Sequence, residues 1–267
     1  MIRKPIKERT RIILGIISVL SFLAVYSMLS YRQHVLYPKN TTMPSIYQMF
    51  VAFTDVCKPD PLTHKIVLWE DFKASGYRLM LGMSISITIS VIVGILMGCY
   101  SMLESLLIVP LSIAAKIPPT AMMVIFMILS GTDIYLFLTL IGFGTAPLLI
   151  QTIFQSTKFD VHDELIEKAY TLGGSDAEII TNTIFRQTLP RIIEAIRLQM
   201  GPAMVYLIAA ELSLASVGFG YTIGLEGRKQ NFNIVYPYCL ILGLIGLSLD
   251  YSLIQLRKYM CPWFEKE

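Results

Sequence analysis

The sequence has little charge and few of the residues that metal sites and disulfides use. Only 15% of its 267 residues are charged, and it contains three histidines and four cysteines. Soluble domains usually have about 25% charged residues, so the composition excludes an ordinary soluble domain. With 54% hydrophobic residues, the chain is also too apolar to be disordered.

Common motifs of enzymes and nucleotide-binding proteins are missing as well. The sequence contains no Gly-x-x-x-x-Gly-Lys phosphate loop, no Gly-x-Ser-x-Gly and no His-Glu-x-x-His. No pair of cysteines has zinc-site spacing. We therefore expect no catalytic residues, no metal and no cofactor in this chain, and no nucleic acid among its partners.

The apolar residues are gathered into blocks of about twenty, which is the length that crosses a hydrocarbon core of about 30 Å. This pattern predicts an all-α integral membrane protein with six transmembrane helices, arranged in one domain over 12–256. The predicted helices are 12–29, 79–100, 105–130, 134–155, 197–215 and 235–256.

Lysines and arginines predict the orientation of these helices. If the N-terminus is cytoplasmic, thirteen lie in cytoplasmic segments and eight in extracytoplasmic ones, which is the bias expected of membrane proteins. The termini, 1–11 and 257–267, and the segment 156–196 are then cytoplasmic, and 30–78 is extracytoplasmic. The first block could be a signal peptide, but no small-residue cleavage pattern follows it, so we expect a retained helix.

The second block carries a stripe of small residues. Ser86, Ser90, Gly94 and Gly98 recur every four residues and share one helix face. The same stretch alternates apolar and hydroxyl residues, as a strand of a membrane barrel would, but no other segment does so. We interpret the stripe as a surface that packs closely against another helix.

The third block contains Pro110, Pro118 and Pro119, each of which removes a backbone hydrogen-bond donor, so this helix must be kinked or broken. Lys116 lies beside the proline pair, where an uncompensated charge costs at least about 2.5 kcal/mol. Two interpretations stay open. Lys116 forms a structural ion pair with Glu211 or backbone carbonyls, or these residues line a transport path.

The cytoplasmic segment 156–196 is long for a connection between two membrane helices and predicts a folded loop. Asp160 can cap a first helix, which Gly173 and Gly174 end. Ser175 and Glu178 then form a capping box for a second helix.

That second helix is expected to present Ile180 and Ile184 on one side and to end before Leu189-Pro190. From the residues alone, the segment is either a docking element or an amphipathic hairpin that lies on the lipid surface.

At these residues the sequence resembles the membrane subunits of bacterial ATP-binding-cassette (ABC) importers. Their cytoplasmic loop reads Glu-Ala-Ala, three residues, Gly, and a spacer to Leu-Pro. The match here is Glu167-Lys168-Ala169, Gly173 and Leu189-Pro190, with Lys168 in place of the middle alanine.

Within that superfamily the chain is similar to the nitrate/sulfonate/taurine/bicarbonate branch. The likeness runs from about 78 to 263. It rests on Leu172-Gly173-Gly174-Ser175, Leu189-Pro190-Arg191-Ile192, Ala209-Ala210-Glu211-Leu212, Gly218-Phe219-Gly220-Tyr221, Gly246-Leu247-Ser248-Leu249-Asp250 and Pro118-Pro119-Thr120-Ala121.

The resemblance implies a type I ABC-importer transmembrane domain in a bacterial inner membrane. Its partners would be a cytoplasmic ATPase dimer that hydrolyses ATP, a second permease copy, an extracytoplasmic binding protein and the lipid bilayer. The solute would be a small oxyanion, a sulfonate or a related compound. The alternative is a membrane-embedded enzyme, or a channel or assembly subunit without an ATPase partner.

The resemblance also implies roles for particular residues. The residues expected in the ATPase-coupling loop are Glu167, Lys168, Ala169, Leu172, Gly173, Gly174, Ser175, Leu189 and Pro190. The candidates for the translocation path are Lys116, Pro118, Pro119 and Glu211.

Overall fold

The computed structural model of the chain describes residues 8–36, 42–59 and 65–264. Most of the predicted N-terminal segment 1–11, and the last three residues of 257–267, lie outside this range. Every regular element among the described residues is a helix. The helices are α1 (Glu8–Leu36), α2 (Ile46–Val56), α3 (Val67–Cys99), α4 (Ser101–Ala114), α5 (Met123–Ser130), α6 (Ile134–Phe159), α7 (Asp163–Thr171), α8 (Asp176–Glu178), α9 (Phe185–Leu214), α10 (Phe219–Arg228) and α11 (Phe232–Met260).

Five of the described helices are long and apolar enough to cross a membrane: α1, α3, α6, α11 and the continuous helix Asp176–Leu214. The third predicted block, 105–130, is divided into α4 and α5, with turns over 115–122. The predicted kink or break is a break at Pro118 and Pro119, whereas Pro110 lies inside α4. α3 begins at Val67, twelve residues before the predicted block at 79.

The prediction that the helix after the loop ends before Leu189-Pro190 is wrong. A π-helical turn over Ile179–Ile184 joins α8 to α9, and the helix continues through Pro190. Pro190 is buried against its neighbours, and the hydroxyl of Thr188 donates to the carbonyl of Ile184 nearby. Tertiary packing of this kind makes proline tolerable inside long membrane helices.

The chain divides into two compact units. The first contains residues up to Val67 and Leu225–Cys239. Here Tyr26 donates to the carbonyl of Pro44 at 2.7 Å and packs edge-on against Tyr236. Ser45 begins α2 with a capping box that includes Gln48.

The second unit comprises Leu68–Gly224 and Leu240–Glu267. In this unit the small-residue stripe of α3 packs on α6, as predicted. The hydroxyls of Ser86 and Thr145 are 2.6 Å apart. A Cβ atom added to Gly98 would lie 2.4 Å from a methyl carbon of Thr157, so only glycine permits this approach. We call this contact the α3–α6 seam.

An apolar cluster of the second unit lies under the predicted loop. It joins the ends of α3 and α6 to the π-helical turn and the start of α9. Its buried members are Ile95, Ile153, Val161, Ile179, Ile184 and Ile192. We call the end of the unit where this cluster and α7 lie the loop end. Burial of this cluster ties the loop to three long helices.

Candidate functional site

The loop between α6 and α9 is built from two helices and a glycine elbow. α7 ends in a Schellman motif, in which Gly174 N–H donates to the carbonyl of Ala169 at 3.1 Å and Gly173 N–H to that of Tyr170 at 2.9 Å. Gly173 has φ +84°, a conformation that costs other residues about 1–2 kcal/mol. The predicted elbow is confirmed.

The second half of the loop starts at Ser175. Its backbone N–H and hydroxyl both donate to the Glu178 carboxylate, at 2.9 and 2.8 Å, and the predicted capping box is present. The Tyr170 hydroxyl donates to Asp176 across the elbow, which raises the pKa of Tyr170 above its ordinary value. The elbow therefore holds the two helices at one angle.

The start of α7 differs from the prediction. His162, not Asp160, precedes the first turn, and its side chain makes no capping hydrogen bond. Asp160 instead ends α6 and lies 3.6 Å from Nε of Arg191. The helix is stabilised at this end by Asp163 and Glu164, because acidic residues favour a helix N-terminus.

The outer face of the loop is exposed and partly apolar. Ile166 and Ala169 pack on the cluster beneath, whereas Glu167 and Lys168 are exposed. Leu172, at the elbow, is 88% exposed. Leu189 and Pro190 lie on α9 rather than in the loop. The sequence-predicted loop residues thus form an exposed tip and a buried base.

The break between α4 and α5 carries the other predicted residues. Lys116 is exposed and forms no ion pair with any described residue. Pro118 is also exposed, while the Pro119 ring lies over Gly144 of α6, where a Cβ would be 2.9 Å from its Cγ. The break is therefore held against α6 by a glycine, and Lys116 projects from it.

Glu211 does not pair with Lys116. It is 0% exposed, and its carboxylate accepts hydrogen bonds from Arg78 at 2.7 Å, from the Ser75 hydroxyl at 2.8 Å and from Gly220 N–H at 2.9 Å. The interpretation of a Lys116–Glu211 ion pair is wrong, because α3 supplies a closer cation. Glu211 joins α9 to α3.

The polar residues of α3 near Glu211 also bind the turn before α10. Asp71 accepts from Gly218 N–H at 2.9 Å and from the Thr222 hydroxyl at 2.6 Å, and Ser75 accepts from Phe219 N–H at 2.9 Å. Gly218 has φ +137°, and a Cβ there would overlap Glu211. Side chains of α3 and α9 thus bind three successive amides at the N-terminus of α10.

Sequence analysis missed Asp71, Ser75 and Arg78. They recur four and three residues apart on one face of α3, a periodicity that signals a polar helix face. The predicted membrane block begins at residue 79, after all three residues, so the prediction did not place them on a membrane helix.

Charged residues also join α9 to α11 at the loop end. The Glu194 carboxylate accepts from Arg197 at 2.8 Å and from Arg257 at 2.7 Å, and Arg197 Nε donates to Asp250 at 2.6 Å. Each charge in this group has an opposite charge beside it. No group of three or more metal-ligating side chains occurs within the described residues.

Fold and site together define a polytopic helical membrane protein with a rigid, exposed helical loop at one end. The chain belongs to the family of binding-protein-dependent transport system inner membrane components, whose model matches residues 90–264. It is therefore a multi-pass permease subunit of an ABC importer, and it works with an ATPase and a substrate-binding protein. It is a transporter subunit rather than an enzyme.

Curated relatives agree with this assignment. An ABC transporter permease protein of Methanocaldococcus jannaschii is 30% identical over 188 residues, which are 70% of each chain. The taurine transport system permease protein TauC of Escherichia coli is 27% identical over 73% of this chain and 71% of its own length. The aliphatic sulfonates transport permease protein SsuC of Bacillus subtilis is 28% identical over the same shares.

A solved structure has the same fold. A chain of the MetNI methionine ABC transporter, in an inward-facing conformation, superposes with a TM-score of 0.61 and 14% identity. The match covers 73% of this chain and 96% of that one. The predicted fold class is confirmed, and so is the branch that contains the taurine and sulfonate permeases.

Proposed function

We propose that this permease imports a small organic sulfonate or a related oxyanion, and that two copies of the chain form the pathway. The taurine and aliphatic sulfonate relatives support this substrate class. Lys116 is an exposed cation beside a broken membrane helix, where it can attract an anion. In this proposal Lys116, Pro118 and Pro119 line the path, whereas Glu211 holds α9, α10 and α3 together.

The loop between α6 and α9 is the part of the proposal that carries coupling to the ATPase. The observation that supports it is a pre-formed elbow whose tip exposes Leu172 to solvent while its base is buried against α3, α6 and α9. An exposed large apolar residue on a rigid element favours protein binding. Force applied at the tip passes directly into three long helices.

The alternative of a hairpin that lies on the lipid surface is less favourable. The apolar side of α7, Ile166 and Ala169, is already packed on protein. Its outer side carries three acidic residues, Asp163, Glu164 and Glu167, against the single basic Lys168, whereas helices that bind membrane surfaces are rich in lysine and arginine on the polar face. Anionic lipid would repel this helix.

The test is a mild-detergent pull-down of a tagged chain from native membranes, followed by mass spectrometry. We expect an ABC ATPase at near equal stoichiometry, and we expect its loss in the double variant Glu167→Gln, Gly173→Val. The matched control is Glu70→Gln, Gly131→Val, which changes a carboxylate and a positive-φ glycine outside the loop. Equal ATPase recovery from both variants would contradict the docking role.

A further inference from the structure

A pocket with several polar side chains opens between α6 and α9 at the loop end, away from the glycine elbow and from Lys116. Its cavity volume is about 420 Å³, which is within the size range of small-molecule sites. Its polar lining residues are Thr152, Gln155, Ser156, Asp160, Arg191 and Glu194. Polar side chains on membrane helices usually face a water-filled cavity or a solute path rather than lipid.

The register of the two antiparallel helices shows how far the pocket reaches. Arg191 lies beside Asp160 at the loop end, and Tyr206 lies against Gly144 about four turns further along. Residues midway between these two contacts therefore lie at one level, about two turns inside the end of α6. The pocket extends from the mouth to this level, where Thr152 lines it.

Two glutamines at this level have buried polar atoms without partners. Nε2 of Gln151 and Oε1 of Gln199 form no hydrogen bond with any described residue, although their sequence neighbours Thr152 and Leu198 line the pocket. A buried polar atom without a partner costs about 1–3 kcal/mol. Neither glutamine lines the pocket itself, so a water molecule between the helices, rather than a bound solute, can supply the missing hydrogen bonds.

The mouth of the pocket carries a loose ion pair. Arg191 Nε and Asp160 Oδ2 are 3.6 Å apart, and both side chains are about half exposed. A long, exposed pair of this kind contributes little stability. The Arg191 guanidinium also lies over the Phe264 ring, 5.4 Å from its centroid, so a new partner for Arg191 competes with both contacts. The Glu194 carboxylate, by contrast, is bound by Arg197 and Arg257 and offers no free negative charge.

From this arrangement we propose that the pocket binds a small zwitterionic amino sulfonate on the loop-end half of the translocation path. The sulfonate accepts hydrogen bonds from the Arg191 guanidinium, and the ammonium group donates to the Asp160 carboxylate, so that each member of the loose pair gains a new partner. A zwitterion can bind both side chains at once, whereas a simple anion or cation binds only one of them. This inference rests on the proposed function.

The experiment measures protection of a cysteine in the pocket. Ser156→Cys is made in a full-length chain whose four native cysteines are replaced by serine, and the assembled transporter is studied in inside-out vesicles. The probe is the membrane-impermeant reagent 2-sulfonatoethyl methanethiosulfonate. At a taurine concentration ten times the dissociation constant of the site, we expect labelling to slow about tenfold. Ethanesulfonate and ethylamine at the same concentration should not slow it.

Matched variants separate the pocket from the surrounding surface. Leu106→Cys is the control for exposure, because Leu106 is 65% exposed on α4 and lies near the level at which Glu104 pairs with Lys158, 2.6 Å apart. Its labelling rate should be the same with and without taurine. Arg191→Gln should abolish the protection of Ser156→Cys by taurine, and Arg191→Lys, which keeps the charge, should retain part of it.

The outcomes separate this inference from the proposed function. If Ser156→Cys is not labelled, or if all three solutes protect equally, the zwitterion site is wrong. If the wild-type transporter imports taurine but taurine gives no protection, the pocket fails and the proposed substrate class stands. Selective protection in a transporter that imports no sulfonate would support the pocket and overturn the substrate class.

Discussion

Two glycines of the second unit, Gly173 and Gly131, adopt positive φ angles of +84° and +77° with no atom near the position of a Cβ. A side chain at either position is therefore strained by its backbone alone and clashes with nothing. Gly173 forms the elbow of the loop between α6 and α9, and Gly131 ends α5. A comparison of the same substitution at the two glycines therefore separates the effect of the elbow angle on transport from the effect of backbone strain alone.

Gly173→Val should uncouple the transporter while membrane insertion stays intact. The β-branched residue costs about 1–2 kcal/mol at this φ, which shifts the elbow away from its single angle. We expect transport and transport-dependent ATP hydrolysis to be lost in reconstituted vesicles. Gly131→Val carries a similar backbone cost and should retain coupling. Normal transport by Gly173→Val would mean that the elbow angle is not needed.

Lys116→Gln should reduce or change transport without affecting stability. Lys116 is exposed and has no ion-pair partner among the described residues, so its removal leaves no buried charge behind. The measurements are uptake of taurine by proteoliposomes and the thermal unfolding midpoint in detergent. Unchanged affinity and rate would assign Lys116 a structural role instead.

Glu211→Ala should destabilise the second unit strongly. It leaves the Arg78 guanidinium and the Gly220 amide without their carboxylate in a buried site, and breaking a buried ion pair costs about 3–5 kcal/mol. Thermal unfolding in detergent measures the loss. The double variant Glu211→Ala, Arg78→Ala is the control and should recover part of it. A loss of unfolding free energy below about 1 kcal/mol would contradict the role of Glu211 in holding α9, α10 and α3 together.

At the scale of helices, the α3–α6 seam depends on glycine, because there is no room for a Cβ atom between the two helices. Gly98→Ala places a Cβ against Thr157, and overpacking of this kind costs about 1–3 kcal/mol. Gly76→Ala lies on the same helix with open space around it, so it should be neutral or stabilise α3 by up to about 1 kcal/mol. Unfolding midpoints of the two variants, compared in one detergent, test this difference. Equal midpoints would contradict the predicted close packing.

The sequence predicted those elements whose signals are local. Small residues at every fourth position of α3 predict its close contact with another helix, and the adjacent glycines Gly173 and Gly174 predict the elbow. The break between α4 and α5 follows from Pro118 and Pro119. Each signal spans fewer than about fifteen residues and reports on backbone geometry, which is determined by near neighbours in the chain.

Contacts between distant parts of the chain could not be predicted. Arg78 and Glu211 are 133 residues apart, and nothing local distinguished Arg78 from Lys116 as the cation that Glu211 binds. Likewise, a proline normally ends a helix. Only the burial of Pro190 in the folded protein explains why α9 continues through it. Asp160 is a residue type that commonly caps helices, but in the folded protein its carboxylate forms an ion pair with Arg191 instead.

At the scale of the whole molecule, the orientation in the membrane stays a prediction that one cysteine can test. Cys57 is exposed in the segment after α2, which is extracytoplasmic if both termini are cytoplasmic. A membrane-impermeant maleimide added to intact cells should label the wild-type chain, and Cys57→Ser should remove that labelling. Labelling of Cys57 only after the membrane is opened would reverse the orientation.

The α3–α6 seam also constrains the order in which the protein is assembled. The partner of Ser86 is Thr145, which is synthesised 59 residues later, after the broken pair α4 and α5. Until α6 has been inserted, α3 faces lipid with hydroxyl groups that can be satisfied only by its own backbone, as Thr88 is by the carbonyl of Ser84. The nascent protein therefore holds an unfinished face in the bilayer.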